Sequence, residues 1–250
     1  MSQYFKLKKK YITHKSNGHY ILEKKEINHI KKYDRASIIL IEESYDNNNG
    51  RDEPTIILFY ETKWNTYTEP GGRIDIKGDN FDQILLETAM REIREETLNT
   101  IFIDQKLLEN SKYIDFYNQK NKMYNRVFVI SIKTNGFKKN IYDDNKDLLS
   151  GKDIPSMWKE TSNVNRFYIS DLLDCIKGQD YNYFDNIPCH DAHNNKTFIY
   201  YRTMGIIDMI IKENILKDII SNSRKTKIYG FKVDLEEEKF LQGTMTIKII

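Results

Sequence analysis

Apolar positions along this chain recur with two different spacings. Two β-branched runs, ASIILI (36–41) and PTIILFY (54–60), predict buried strands. TIFID (100–104), KYIDFY (112–117) and NRVFVISIK (125–133) also read as strands, with NQKNK (118–122) as the hairpin turn between the last two. Between these runs the spacing becomes helical. In FDQILLETAMREIREETL (81–98), Leu86, Met90, Ile93 and Thr97 fall on one face, and Asp79 or Asn80 supplies an N-cap. NRFYISDLLDCI (165–176) predicts a strand running into a helix capped by Ser170, and residues 195–220 predict a strand or turn followed by a long helix. Strand-like pieces around DLEEEK close the chain. ESYDNNNGRDE (43–53) and KKNIYDDNKDLLSGKD (138–153) read as polar loops, and EPGG (69–72) as a sharp turn in which Pro70 blocks a helix. Residues 1–34 are basic and polar, and predict a short strand pair or an arm laid on the main domain. The order strand, strand, helix, several strands, helix gives a mixed α/β (α+β) class with no simple βαβ repeat.

Composition narrows the function classes. The 250 residues suit one large domain, or one domain with extensions at both ends. With 39 basic and 37 acidic residues, bulk charge argues neither for nor against nucleic acid. Cys175 and Cys189 imply neither a disulfide framework nor a standard metal spacing. The basic N-terminus has no apolar leader, and no apolar run has the length of a membrane span, so no membrane partner and a cytoplasmic location are expected. Nothing in the sequence specifies an oligomeric state.

The chemistry concentrates in REIREET (91–97). On a helix, Glu92 and Glu96 are one turn apart with Glu95 adjacent, while the apolar stripe lies on another side. Like charges at that spacing cost a few tenths of a kcal/mol each on an exposed helix, about 0.2–0.5. Three hard oxygen ligands at one spot suit Mg²⁺ or Mn²⁺, which would remove the repulsion. Gly71 and Gly72 let backbone approach them closely. The alternative is a solvated helix face, with Glu87–Arg91 and Arg91–Glu95 as ordinary pairs.

EPGGRID and ETAMREIREET together resemble the Nudix box, G-x5-E-x7-R-E-U-x-E-E-x-G-U, where U is a bulky aliphatic residue. Gly72 matches its first glycine, and Arg91, Glu92, Ile93, Glu95 and Glu96 match R-E-U-x-E-E. The flanking strand pair and RFYISDLL extend the likeness over roughly residues 36–176. Three features depart from the pattern. The gap from Gly72 to Arg91 is five residues longer, Lys77-Gly78 stands where a glutamate belongs (Asp75 or Asp79 standing in), and Leu98 replaces the final glycine.

The resemblance implies a Nudix fold, a mixed sheet between helices, at residues 35–176, with a basic arm (1–34) and a C-terminal helical extension (177–250). It further implies a hydrolase that uses Mg²⁺ or Mn²⁺ to cleave a diphosphate joined to another group. Glu92, Glu95, Glu96 and the Gly72 carbonyl would hold the metal, and Arg91 would orient the helix. Glu160 is a further ligand or base candidate, with Asp143, Asp144 and Asp147 as competitors. The bias toward Asn, Ile, Lys and Tyr accompanies AT-rich genomes, such as those of some protists and large DNA viruses. With the basic arm, this favours the 5′ cap of mRNA as substrate, in the manner of a viral decapping enzyme. Diphosphoinositol polyphosphate, free nucleotides and ADP-ribose are alternatives, as is a binding module without catalysis.

Other residues are weighed against plainer roles. Trp64 and Tyr67 are placed to stack on a base, although packing under the loop is the simpler expectation. Arg73 is placed to touch a phosphate, or is a surface arginine. The N-terminal lysines with Tyr4, Phe5, Tyr11 and Tyr20 suit RNA or a solvated strand pair. Cys189, His190 and His193 lack a zinc spacing and read as a polar loop. Tyr200, Tyr201 and Arg202 open the last helix and are candidates for the substrate mouth.

Overall fold

The computed structural model describes residues 33–46, 51–75, 80–118, 122–133, 136–177 and 186–216, together with the backbone of four short strands nearer the termini. The strands are β1 (Ile12–Ser16), β2 (His19–Leu22), β3 (Arg35–Asp46), β4 (Asp52–Glu61), β5 (Thr66–Thr68), β6 (Gly71–Arg73), β7 (Lys112–Asn118), β8 (Met123–Ile132), β9 (Thr161–Tyr168), β10 (Ile187–His190), β11 (Lys196–Ile199), β12 (Phe231–Asp234) and β13 (Thr246–Ile249). The helices are α1 (Phe81–Glu96), α2 (Gln105–Glu109), α3 (Lys139–Leu149), α4 (Ile169–Lys177) and α5 (Tyr201–Lys212).

Among the described residues, eleven strands join in one mixed sheet of order β1-β2-β7-β8-β3-β4-β5-β11-β10, with β6 added to β3 and β9 to β4. β3 is the centre. It runs parallel to β8 and antiparallel to both β4 and β6. Successive side chains of a strand face opposite sides, so β3 serves two cores. Ile38 and Leu40 pack with Leu85, Ala89 and Ile93 of α1, and with Tyr142 and Leu149 of α3. Ile39 and Ile41 pack on the other side with Leu172 of α4 and Ile206, Ile207 and Ile210 of α5. Helices on both faces of a mixed sheet are the fold class expected from the sequence.

Segments on either side of the central strands extend that sheet, while β12 and β13 pair only with each other. The N-terminal strand pair is present, β1 antiparallel to β2, and β2 extends the sheet by pairing with β7. Lys6, Lys8, Lys9 and Lys10, with Lys24, Lys25, Lys31 and Lys32, lie outside the described residues, as do Tyr4, Phe5 and Tyr11. Toward the C-terminus, β11 pairs with β5 at Ile199 and Tyr67, and α5 is buried along most of its length.

Several local expectations are corrected. The loop expected at 43–53 is shorter, because β3 runs on to Asp46 and β4 starts at Asp52. Residues 71–73 are a strand rather than part of a turn, since the glycines let them lie against β3. TIFID forms no strand of the sheet: Ile101 and Ile103 are buried, yet the segment leads into α2. The polar loop expected at 138–153 contains α3, held by Tyr142, Asn145 and Leu149 on its buried side. Ser170 lies inside α4 and does not cap it; its hydroxyl donates to Glu53 at 2.6 Å and accepts from Arg51.

Candidate active site

Helix α1 is fixed at both ends. Asn80, one of the two expected caps, accepts from the Gln83 amide at 3.2 Å, while Asp79 lies outside the described residues. At the C-terminus, the Asn99 amide donates to the Arg94 carbonyl (2.8 Å) and the Leu98 amide to that of Glu95 (3.2 Å). This is the Schellman arrangement, which places residue 98 at the left-handed position usually given to glycine. Leu98 adopts it, with φ of 51°. The departure from the motif therefore changes the residue and keeps the backbone. The Thr161 hydroxyl donates to the Glu96 carbonyl at 2.6 Å, and Asn145 to the Leu98 carbonyl at 2.8 Å.

With its apolar face on the sheet, α1 turns Glu92, Glu95 and Glu96 toward β6. The Gly71 amide donates to Glu96 Oε1 at 3.3 Å. A β-carbon on Gly72 would collide with the Glu92 carboxylate. Arg91 reaches between two of the acids, 2.6 Å from Glu92 and 2.9 Å from Glu95, and also touches Asp75 at 3.4 Å. Lys77, Gly78 and Asp79 lie outside the described residues.

Arg91 and Arg35 together do not offset this acidity. All three glutamates are buried, at 7–8% exposure. Burial raises the pKa of Glu92, lifts Glu95 to about 7, and holds Glu96 well above the usual carboxylate range. Glu61 is raised for the same reason. Glu96 Oε2 is buried and lacks a hydrogen-bond partner, an expensive state for a carboxylate oxygen.

A cavity of about 650 Å³ gathers these groups. Of the site residues expected from sequence, Gly72, Arg73, Arg91, Glu92, Glu95, Glu96, Glu160 and Trp64 all line it. The Glu160 carbonyl accepts from the Thr62 amide at 3.1 Å, which ties its loop to the end of β4 beside Glu61. The competitors Asp143, Asp144 and Asp147 lie on α3 and do not line the cavity. Tyr67 is buried, as packing under the loop requires. Trp64 departs from that reading. It is 48% exposed, and its ring stacks on Tyr200 at 6.3 Å between centroids and 19° between planes. Tyr200 and Arg202 also line the cavity, as do Arg35 and Glu61, which sequence reasoning missed because no motif contains them.

The donor set suits a hard divalent cation: several carboxylates, one with a free buried oxygen, beside a glycine-only strand. Among the described residues no three acidic, histidine or cysteine side chains converge at metal-binding distance. Here Arg91 pairs with Glu92 and Glu95, and Glu96 Oε2 remains a carboxylate oxygen without a partner. The polar loop expected at Cys189 and His190 is instead the end of β10, where pairing with β11 buries Cys189 and leaves His190 exposed; His193 is exposed in the turn that follows.

No helix among the described residues is long and apolar enough to cross a membrane. No family model matches the chain, and no curated protein matches it. Among solved structures, an Ap4A hydrolase from C. elegans aligns at 16% identity over 74% of this chain and 99% of its own, with a TM-score of 0.34. A NUDIX hydrolase from Nitrosomonas europaea aligns at 12% identity over 59% of this chain and 82% of its own, with a TM-score of 0.31. Likenesses this faint carry no weight for function.

Proposed function

We propose that the chain is a Nudix-type hydrolase that uses Mg²⁺ or Mn²⁺ to cleave a phosphoanhydride linking a nucleoside diphosphate to another group. The observation that carries this reading is the facing of Gly71–Gly72 by Glu92 and Glu96, with Glu96 Oε2 buried and unpartnered. Glu92, Glu95 and Glu96 would hold the cation, joined by the Gly72 carbonyl and Glu160. Such an ion neutralises phosphate oxygens and lowers the pKa of bound water. The protein's own groups do the rest. Arg91 orients Glu92 and Glu95. Glu61, which lines the same cavity outside the acidic helix, is the candidate to take a proton from the attacking water. Arg73, exposed and lining the cavity, would meet a phosphate oxygen.

The substrate reading is the 5′ cap of mRNA. The exposed Trp64 and its partner Tyr200 offer aromatic faces at the cavity mouth, and the cationic methylated base of a cap stacks well on such faces. A diphosphoinositol phosphate has no base to stack, so this pair favours a nucleotide. The test is a product assay in Mg²⁺ and, separately, Mn²⁺ with capped RNA, cap analogue, dNTPs, ADP-ribose and a diphosphoinositol phosphate, wild type beside Glu96→Gln. Release of methylated nucleoside diphosphate from capped RNA by wild type alone is expected. Cleavage of a small substrate instead would discard the RNA reading, and no Glu96-dependent cleavage of any substrate would turn the reading toward a binding module.

A further inference from the structure

The same cavity holds two arginines that the acidic motif does not explain. Arg202, in the first turn of α5, is 8% exposed, and its Nη2 lies 2.7 Å from the carboxylate of the buried Glu69. Burial alone would raise the Glu69 pKa, but Arg202 and Arg35 outweigh it and bring it below the ordinary value. The charge of Arg202 is thus matched within the fold.

Arg35 has no close partner of that kind, and its charge is balanced only at longer range by Glu69, Glu96 and Glu92. It opens β3 opposite Arg73 of β6, and its guanidinium donates to the Gly71 carbonyl. Among the described residues no carboxylate lies within ion-pair distance of it, and its Nε is buried without a partner. Burial and the neighbouring Arg202 push its pKa down to about 10, so it stays protonated at neutral pH. A guanidinium has five donors; here Nη2 is taken by Gly71 and Nε is buried without a partner, while the group as a whole faces the cavity, so an acceptor entering the cavity would relieve that cost. A phosphate supplies the oxygens and charge that such a planar fork matches. Position supports this ligand. Gly71 accepts from Arg35 through its carbonyl and donates to Glu96 through its amide, so a single residue separates the cation from the acidic helix.

We propose that Arg35, backed by Arg202, forms a phosphate-binding subsite that holds the phosphoryl group neighbouring the one held at Glu92, Glu95 and Glu96. The second half of that statement rests on the hydrolase reading; anion binding at Arg35 does not. Arg35 then fixes the substrate's phosphate chain relative to the acidic helix, and it counters the repulsion that the glutamates exert on that chain.

Calorimetric titration of the full chain with inorganic pyrophosphate in EDTA, and separately with Mg²⁺ alone, tests this. Wild type should bind pyrophosphate, and Arg35→Gln should weaken it at least about tenfold, the loss expected for a charge-assisted bond. Arg35→Lys keeps the charge and loses the fork, and should fall between the two. Mg²⁺ uptake should persist in Arg35→Gln, because the variant removes a cation that competes for the same carboxylates. Pyrophosphate bound equally by wild type and both variants, or not bound by wild type, would overturn the subsite while leaving Mg²⁺ uptake to judge the hydrolase reading. Arg35-dependent pyrophosphate binding without Mg²⁺ uptake would keep the anion subsite and remove its hydrolytic setting.

Discussion

Gly72 and Glu92 fit together only because residue 72 has no side chain: a β-carbon there would overlap the Glu92 carboxylate. The colliding atoms are the far end of a flexible side chain, which can swing away. Gly72→Ala should therefore fold with stability within about 1 kcal/mol of wild type and lose most cation binding and activity. Gly71→Ala differs, since its β-carbon would meet Ser37 Cβ and backbone in the β3–β6 pair. It should cost stability by about 1–3 kcal/mol, as overpacking does. Urea unfolding of the two variants, run beside Mg²⁺ binding, separates the effects.

Leu98 holds a left-handed conformation at φ of 51° while only 2% exposed. Leu98→Gly would relieve about 1–2 kcal/mol of backbone strain but forfeit a buried leucine, worth about 2–5 kcal/mol when truncated to alanine. Burial wins. The variant should be destabilised by about 1–3 kcal/mol by these opposing terms, measured by denaturant unfolding; a stabilised variant would show that strain dominates.

Thr161 joins α3 to the acidic helix. Its hydroxyl donates to the Glu96 carbonyl at 2.6 Å and accepts from the Tyr142 hydroxyl at 3.1 Å. Thr161→Val keeps the shape and leaves two buried polar groups unpaired, at about 1–3 kcal/mol each. Loss of stability by chemical denaturation should come with reduced turnover, because the last turn of α1 carries Glu95 and Glu96. Unchanged turnover in a destabilised variant would mean that the clamp does not position the acids.

The acidic cluster makes the metal-free protein pH-sensitive in a defined direction. In the folded chain Glu95 is raised from the ordinary 4.5 to about 7, and Glu92, Glu96 and Glu61 are also raised. A carboxylate whose folded pKa is raised costs stability when ionised, and the cost is relieved as pH falls through the folded pKa. In EDTA, Tm should therefore rise for wild type relative to Glu95→Gln as pH drops from 8 to 6. Mg²⁺ pairs with the ionised form, so its stabilising shift should be larger at pH 8. Parallel curves for wild type and variant would contradict this.

The central strands and α1 were legible because β-branched runs and a four-residue apolar spacing survive in them. Helix α3 was not. It buries only Tyr142, Asn145 and Leu149, and one of those is an asparagine, recruited to bind the Leu98 carbonyl. TIFID showed strand-like apolar residues, but after the Schellman turn Ile101 and Ile103 enter the core without a place in the sheet. The acidic wall of the cavity follows from spacing on one helix. Its arginines do not, because Arg35, Glu69 and Arg202 come together only when β3, the β5–β6 link and α5 are assembled. The exposure of Trp64 has no local signal, because its stacking partner Tyr200 lies far along the chain.

The most direct measurement is calorimetric titration of the full chain with Mg²⁺, repeated with Mn²⁺, for wild type and Glu96→Gln. The account predicts saturable uptake by wild type and at least about a tenfold weaker constant for the variant, the cost of one charged ligand. No saturable uptake by wild type, or identical uptake by both proteins, would contradict a cation site on the acidic helix.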